Sequence, residues 1–312
     1  MKLFYFSFTA MASPCELRLY ASSPRQAERA ARAAIAEVQR IEHKYSRYRA
    51  DSIVSEINAA AGGRVVSVDD ETAGLLNYAD AAYRESGGLF DISSGVLRRA
   101  WDFQSANLPS GALLEALLPL VGWHKVNWQA PKIALPTPGM QLDFGGFGKE
   151  YAADCAARVC KAEGIVHGLV ELGGDIHALG PHPDGRAWQV GVRDPRCPER
   201  ATAALALQQG GLATSGDYQR YMLVDGQRYC HILNPNTGWP QPDSFASVSV
   251  VAPLCLLAGT GATVAMLKGV AAGRQWLQDL SLAHLWVTQG GDLGGSLCPE
   301  DRVMGLASPT VE

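Results

Sequence analysis

The sequence predicts an α+β fold with a largely antiparallel sheet and packed helices. Residues 3–20 and 245–252 alternate between apolar and polar side chains, which is typical of strands with one buried face. Strand-like and helix-like segments do not follow the regular βαβ alternation of a parallel sheet, and no segment repeats at a fixed period. No linker separates two cores, so we predict a single domain over residues 1–312.

Composition excludes several classes of protein. The 312 residues are 47% hydrophobic and 19% charged, which is ordinary for a globular protein with a sizeable core. The net charge of −4 gives no basic surface for nucleic acid. Seven cysteines form neither a CxxC pair nor a zinc spacing, which favours reduced thiols and a cytoplasmic protein. No stretch approaches the roughly 20 apolar residues of a membrane span.

The first elements follow from local signals. Residues 3–20 predict two strands that turn near Ser13-Pro14. Ser23, Pro24 and Gln26 then provide an N-cap, a proline at the first helical position and a capping-box residue, so we expect a helix to about His43.

Turn and cap residues also delimit the elements that follow, up to residue 140. Residues 65–68 predict a short strand, and Asp69 or Asp70 caps a helix that ends at Gly87-Gly88. Residues 104–140 are rich in proline and glycine, with one helical stretch at 111–120.

The segment Leu142–Asp154, LDFGGFGKEYAAD, predicts a strand, a glycine turn and the start of a helix. Such a turn directs several backbone N–H groups at one point, which suits a phosphate. Lys149 adds a positive charge there, and Asp143 offers a carboxylate for a metal or a polar ring edge. The same residues also fit a plain strand–helix connection, because short glycine motifs are weakly specific.

The second half of the chain predicts strands, two helices and a hairpin. The Asp225-Gly226 pair between alternating residues indicates a type I′ turn. The expected strands cover residues 165–172, 186–192, 201–207, 245–252 and 283–288, and the expected helices cover 254–269 and 273–281.

Six segments together resemble the ApbE family of FAD:protein FMN transferases. They occur in the family's order, and HILNPNTGWP is the most specific of them. In chain order the segments are YSRYRADSIVSEIN (45–58), GGLFDISSGVLRRAWDF (87–103), LDFGGFGKEYAAD (142–154), VELGGD (170–175), TSGDYQRY (214–221) and HILNPNTGWP (231–240).

The resemblance implies a T-fold-related domain, Mg²⁺ and FAD as donor. A Ser or Thr hydroxyl in the flavinylation motif of an acceptor protein would attack FAD, and AMP would leave. Two alternative functions also involve FAD. The protein would be either a non-catalytic FAD-binding or flavin-delivery protein, or a pyrophosphatase that splits FAD into FMN and AMP. A dinucleotide-dependent oxidoreductase is disfavoured because the glycines lack the GxGxxG spacing.

The resemblance also implies roles for individual residues. The expected cofactor contacts are Met11, Tyr48, Leu89, Phe90, Asp91, Asp143, Lys149 and Ile232. His231 is the expected general base, because an imidazole titrates near neutrality; the alternative is a structural histidine in the hairpin. The expected metal ligands are the Gly146 carbonyl and the Thr263 hydroxyl.

Two residues depart from the family pattern. Gly259 stands one helical turn before Thr263, where the family carries an aspartate, and Glu150 follows Lys149 where glycine is more usual. A hard cation prefers anionic oxygen ligands, so we expect a weakened metal site unless Asp175 or a phosphate of FAD compensates. Gly259→Asp is expected to restore the carboxylate.

Overall fold

The protein combines fifteen described strands with six α-helices. The computed structural model describes residues 1–105, 107–197 and 199–298. The strands are β1 (Lys2–Ala10), β2 (Ser13–Ala21), β3 (Val66–Ser67), β4 (Asn127–Gln129), β5 (Lys132–Ala134), β6 (Gly168–Leu172), β7 (Asp175–Gly180), β8 (Trp188–Arg193), β9 (Ala201–Leu207), β10 (Gly210–Gly216), β11 (Tyr221–Val224), β12 (Gln227–Cys230), β13 (Ser247–Ala252), β14 (Ala283–Val287) and β15 (Leu293–Gly294). The helices are α1 (Pro24–Tyr45), α2 (Ile53–Ala59), α3 (Asp70–Glu85), α4 (Gly111–Leu117), α5 (Gly148–Ala162) and α6 (Cys255–Asp279), with short 3₁₀ helices at Ile92–Arg99, Leu118–Leu120 and Trp123–Lys125.

One large sheet organises the molecule. Its eight strands lie in the order β1-β2-β6-β7-β10-β13-β14-β15, and each pairs with its neighbours in antiparallel fashion. Three smaller sheets, β11-β12, β3-β5-β4 and β8-β9, are antiparallel as well. The predicted α+β class with a largely antiparallel sheet is confirmed. The single domain over residues 1–312 stays a prediction.

Helices cover one face of this sheet and the β8–β9 hairpin covers the other. Leu17 and Val170 are paired across β2 and β6 and are fully buried in the cluster that includes α1, α3 and α5. On the opposite face, Leu169 and Ile176 pack with Trp188 of the hairpin. This alternation along each strand produces a three-layer arrangement, because successive side chains point to opposite faces of a sheet.

Local signals gave the correct helix starts. Ser23 accepts a hydrogen bond from the backbone N–H of Gln26 at 3.3 Å and so caps α1. Asp69 accepts from the N–H of Thr72 at 3.0 Å and caps α3. The Asp225-Gly226 turn is also confirmed, with both residues at positive φ between β11 and β12.

The predicted strand before the glycine turn is wrong. Residues 141–144 are irregular. Their backbone groups form hydrogen bonds with a side chain and a loop carbonyl, and not with a neighbouring strand. Asn58 accepts from the N–H of Leu142 at 2.6 Å and donates to its carbonyl at 3.0 Å. The N–H of Asp143 donates to the carbonyl of Ile92 at 2.8 Å.

Helix α6 lies against β10 and β13 and breaks at Gly269, where φ is 78° and ψ is 175°. The break corresponds to the two helices predicted at 254–269 and 273–281. By length and composition α6 would be able to cross a membrane, yet 67% of its most apolar window is buried within the protein. A core helix passes the same test, so this is weak evidence for a membrane span.

The start of α6 is held by a residue of α5. Asp154 accepts hydrogen bonds from the N–H of Cys255 at 2.8 Å and of Leu256 at 3.0 Å, and α6 has no side-chain cap of its own. Asp154 also accepts from Nδ1 of His177 on β7 at 2.7 Å. A carboxylate oxygen of Asp154, a ring nitrogen of His177 and the Sγ of Cys255 lie within 4.8 Å of one another, as in a metal site. Because both oxygens of Asp154 already serve the helix start, we interpret this group as structural.

We predict that Asp154→Ala lowers the free energy of unfolding by about 2–4 kcal/mol. The variant loses a helix cap, which costs about 1 kcal/mol, and leaves the buried His177 without its acceptor, which costs about 1–3 kcal/mol. The midpoint of urea unfolding at unchanged m-value measures the loss. Arg64→Ala, which breaks an exposed pair with Glu56, is the control and is expected to change stability by less than about 0.5 kcal/mol. Equal shifts in both variants would contradict this assignment.

Candidate active site

A cleft of about 1450 Å³ opens beside the N-terminus of α5. This volume is large enough for a dinucleotide-sized ligand. Its walls come from distant parts of the chain that the sheet brings together: the β1–β2 turn, the end of α1 with residues 46–48, residues 143–149, part of β8, and the 214–220 segment with His231.

The cleft carries more positive than negative side chains, although the protein as a whole is acidic. Six basic residues line it against four acidic ones. The basic residues are Arg18, Arg47, Arg98, Lys149, Arg193 and Arg220. The acidic residues are Glu16, Glu42, Asp143 and Glu171. Clustered cations inside a concave site favour an anionic ligand such as a phosphate ester.

An aromatic and charged group forms one rim of the cleft. Tyr48 is 79% exposed, and the guanidinium of Arg47 lies 4.7 Å from its ring centroid. Arg47 also donates to the Tyr48 hydroxyl at 2.9 Å and lies 3.3 Å from a carboxylate oxygen of Asp143. Arg98 approaches the same oxygen at 3.7 Å. An exposed ring held in this way is suited to stack on a flat heterocycle.

The β1–β2 turn reaches the cleft in an uncommon backbone conformation. Met11 and Ala12 both have positive φ, 50° and 56°, which costs energy for residues other than glycine. The N–H of Met11 donates to Glu42 on α1 at 2.7 Å. Because that donor is already used, the predicted backbone contact would fall to the Met11 carbonyl, which accepts a long hydrogen bond from the Ser13 hydroxyl at 3.4 Å and keeps a second lone pair.

Lys149 stands in the first turn of α5 and faces the cleft. Its ammonium group pairs with the buried carboxylate of Asp175 and lies 3.4 Å from the carbonyl of Gly173. Burial disfavours its charge, but Asp175 and Glu150 outweigh this effect and raise the pKa of Lys149. Lys149 is therefore a permanent positive charge at the helix start.

His231 lines the cleft with one ring nitrogen free for chemistry. Its Nδ1 lies 3.1 Å from the carbonyl of Arg220. A carbonyl accepts hydrogen bonds, so Nδ1 carries the proton and Nε2 keeps its lone pair. Burial of the ring, and next the nearby Arg98, lower the pKa of His231 to about 4. The imidazole is thus neutral at pH 7 and in the tautomer of a general base.

A cluster of oxygen atoms lies where α5 and α6 meet. The hydroxyl of Thr263 is 2.8 Å from that of Ser215 on β10. Glu150 stands against Gly259 of α6, one turn from Thr263, and its buried Oε2 has no hydrogen-bond partner. Burial and the neighbouring Asp175 raise the pKa of Glu150. The observed donor set is oxygen throughout.

The expectation that Gly259→Asp restores a carboxylate stays a prediction, and the structure adds that the Glu150 side chain would have to move. A Cβ atom added at Gly259 would lie 2.5 Å from Oε1 and 2.7 Å from Cγ of Glu150. Real Cβ atoms do not approach other atoms that closely, and an aspartate would also place two negative charges together. The space at position 259 is already filled by the side chain of Glu150.

The structure thus brings five predicted residues, Met11, Tyr48, Asp143, Lys149 and His231, to one cleft. Their roles stay predictions.

The other predicted residues are not among those that line the cleft. Phe90 is buried against Phe147, and Asp91 accepts hydrogen bonds from Ser93 and Trp123. Leu89 and Ile232 are half-buried, and Gly146 is exposed just before α5.

Sequence reasoning missed much of the basic lining. Arg18 on β2 and Arg193 on β8 lie outside the six segments, and no local motif marks them as neighbours, whereas Arg220 lies within TSGDYQRY. Arg98 lies within the GGLFDISSGVLRRAWDF segment, so its place beside a predicted site would have been a usable signal.

The chain is similar to known proteins over most of its length. The model of the ApbE family matches residues 11–286. FAD:protein FMN transferase of Klebsiella pneumoniae (strain 342) is 30% identical over 305 residues, which cover 94% of this chain and 91% of the relative. The enzyme of the same name from Treponema pallidum (strain Nichols) is 32% identical, over 82% and 76% of the two chains.

Solved structures agree with these relatives. The ApbE protein of Thermotoga maritima superposes with a TM-score of 0.86 at 29% identity, covering 95% of this chain and 97% of its own. The flavinyl transferase ApbE of Pseudomonas stutzeri, in its apo form, gives a TM-score of 0.83 at 26% identity, with 95% of both chains covered. The cleft, the motifs and these comparisons lead to one conclusion: the chain belongs to the ApbE family.

Proposed function

We propose that this protein transfers FMN from FAD to a Ser or Thr hydroxyl of an acceptor protein and releases AMP. The carrying observation is the neutral His231, with Nε2 free, in a cleft whose basic side chains suit a pyrophosphate. Relatives named FAD:protein FMN transferase, at 30% and 32% identity, support the proposal.

The transfer requires one proton acceptor. The hydroxyl oxygen of the acceptor protein forms a bond to the FMN-side phosphorus, and the bond from that phosphorus to the bridging oxygen breaks. AMP leaves with the bridging oxygen, and the hydroxyl proton passes to Nε2 of His231. Lys149 and the arginines of the cleft stabilise the charge that develops on the phosphate oxygens.

The residues present fit a divalent cation. Thr263 and Ser215 offer hydroxyl oxygens, and the unpartnered Oε2 of Glu150 offers a carboxyl oxygen. Hard cations such as Mg²⁺ prefer such ligands. When bound, Mg²⁺ supplies charge neutralisation on the pyrophosphate. The Gly146 carbonyl stays a predicted ligand together with Thr263.

The flavin itself is assigned to the cleft by side-chain chemistry. Tyr48 offers an exposed ring for stacking, Asp143 an acceptor for a ring N–H or ribose hydroxyl, and Met11 a backbone carbonyl. A cytoplasmic location is part of the proposal, supported by seven cysteines that form neither a CxxC pair nor a zinc spacing.

We predict that His231→Asn lowers FMN transfer by roughly 10²–10⁴-fold and changes FAD affinity by no more than a few-fold. Asparagine can still donate to the Arg220 carbonyl, so the loop is kept and the base is lost. The intact mass of an acceptor that carries a Ser/Thr flavinylation motif, incubated with FAD and Mg²⁺, measures transfer.

Three outcomes would contradict parts of this proposal. Full transfer by His231→Asn would remove His231 from the mechanism. FMN and AMP formed by the wild type without a labelled acceptor would identify a pyrophosphatase. FAD binding without either product would identify a flavin-delivery protein.

We also predict that Arg98→Gln raises the pKa of His231. A neighbouring positive charge disfavours the imidazolium, so its removal should move the pKa up from about 4 toward the ordinary value. Titration of the His231 ring signal by NMR, assigned with His231→Asn, measures the shift. Arg49→Gln is the control, because Arg49 pairs with the exposed Asp51. A wild-type pKa near the ordinary value would contradict this account.

A further inference from the structure

We propose that Glu150 of α5 supplies the carboxylate ligand of a divalent-cation site shared with Thr263 of α6, and that Gly259 is small to make room for it. This rests on the proposed function, because it concerns the cation of the same reaction. The two departures from the family pattern, Glu150 and Gly259, would then be one exchange: the carboxylate has moved from α6 to α5.

The packing of the two helices places these residues opposite each other. Asp154 of α5 contacts the N–H of Cys255 of α6. One turn back along α5 is Glu150, and one turn forward along α6 is Gly259, which it contacts. Thr263 lies one further turn along α6, on the same face as Gly259. The helix crossing therefore directs the Glu150 carboxylate toward the face of α6 that carries the predicted Thr263 hydroxyl.

The Glu150 side chain lacks the partner that a buried carboxylate requires. Its Oε2 atom is buried and has no hydrogen-bond partner among the residues that the structure describes, and Oε1 is the atom that would meet a Cβ at Gly259. Buried polar atoms without partners are rare because desolvation is costly. A cation beside the Thr263 and Ser215 hydroxyls would satisfy Oε2.

Asp175, the other candidate for compensation, is already engaged. Its buried carboxylate pairs with the ammonium of Lys149 and accepts a hydrogen bond from the backbone N–H of Thr214. Recruiting Asp175 to a cation would break those bonds, whereas recruiting Glu150 would break none at Oε2. Glu150 is the carboxylate available to a cation.

The test exchanges the carboxylate between the helices and measures Mn²⁺ affinity by electron paramagnetic resonance, with and without saturating FAD. Glu150→Gln, which keeps the shape, is expected to weaken Mn²⁺ binding at least about tenfold. Gly259→Asp alone should not tighten binding and should lower the melting temperature. The double variant Glu150→Gly/Gly259→Asp should recover the wild-type affinity to within a few-fold.

Glu163→Gln is the matched control, since it removes one negative charge from the exposed far end of the same helix. Its Mn²⁺ affinity should equal that of the wild type. The inference is overturned if Glu150→Gln binds Mn²⁺ as tightly as wild type, if Gly259→Asp alone tightens binding, or if wild type binds none.

Failure of the proposed function would look different. A wild type that binds Mn²⁺ through Glu150 but transfers no FMN would leave this inference standing and overturn the transferase.

Discussion

The two hydrogen bonds from the start of α6 to Asp154 of α5 fix the geometry on which the candidate site depends. They set which residues face each other along the two helices, and the bond from His177 ties both to β7 of the sheet. From this anchor, Glu150 meets Gly259 one turn away. The position of the Glu150 side chain therefore depends on a helix cap one turn away.

Basic side chains outnumber acidic ones on the surface of the cleft, and further acidic side chains lie on α5 beside it. Six basic and four acidic side chains line the open volume, whereas Glu150 packs against Gly259 of α6 and Asp154 holds the start of that helix. A buried acidic group attracts a metal ion to one side of an anionic substrate. The basic lining of the cleft holds the phosphates on the other side. Burial, and next the nearby Arg98, disfavour the imidazolium form of His231 and lower its pKa, so the base in this cleft is neutral.

The sequence was informative where the signal is local. The cap at Ser23 and the Asp225-Gly226 turn involve residues within a few positions, and both were predicted. Strands β7 and β10 were missed, because every residue of β7 is buried and β10 is rich in glycine, so neither alternates. The relation of Glu150 to Gly259 depends on how two helices cross, and no spacing within one segment contains that information.

The central claim is that α5 and α6 together hold a cation beside the flavin pyrophosphate. A crystal structure with FAD and Mn²⁺, with the metal located by its anomalous scattering, tests it most directly. The account predicts one Mn²⁺ within about 2.0–2.4 Å of Glu150 Oε2 and of the Thr263 hydroxyl. Mn²⁺ bound instead by Asp154, His177 and Cys255, or a carboxylate of Glu150 that turns away from the metal, would contradict it.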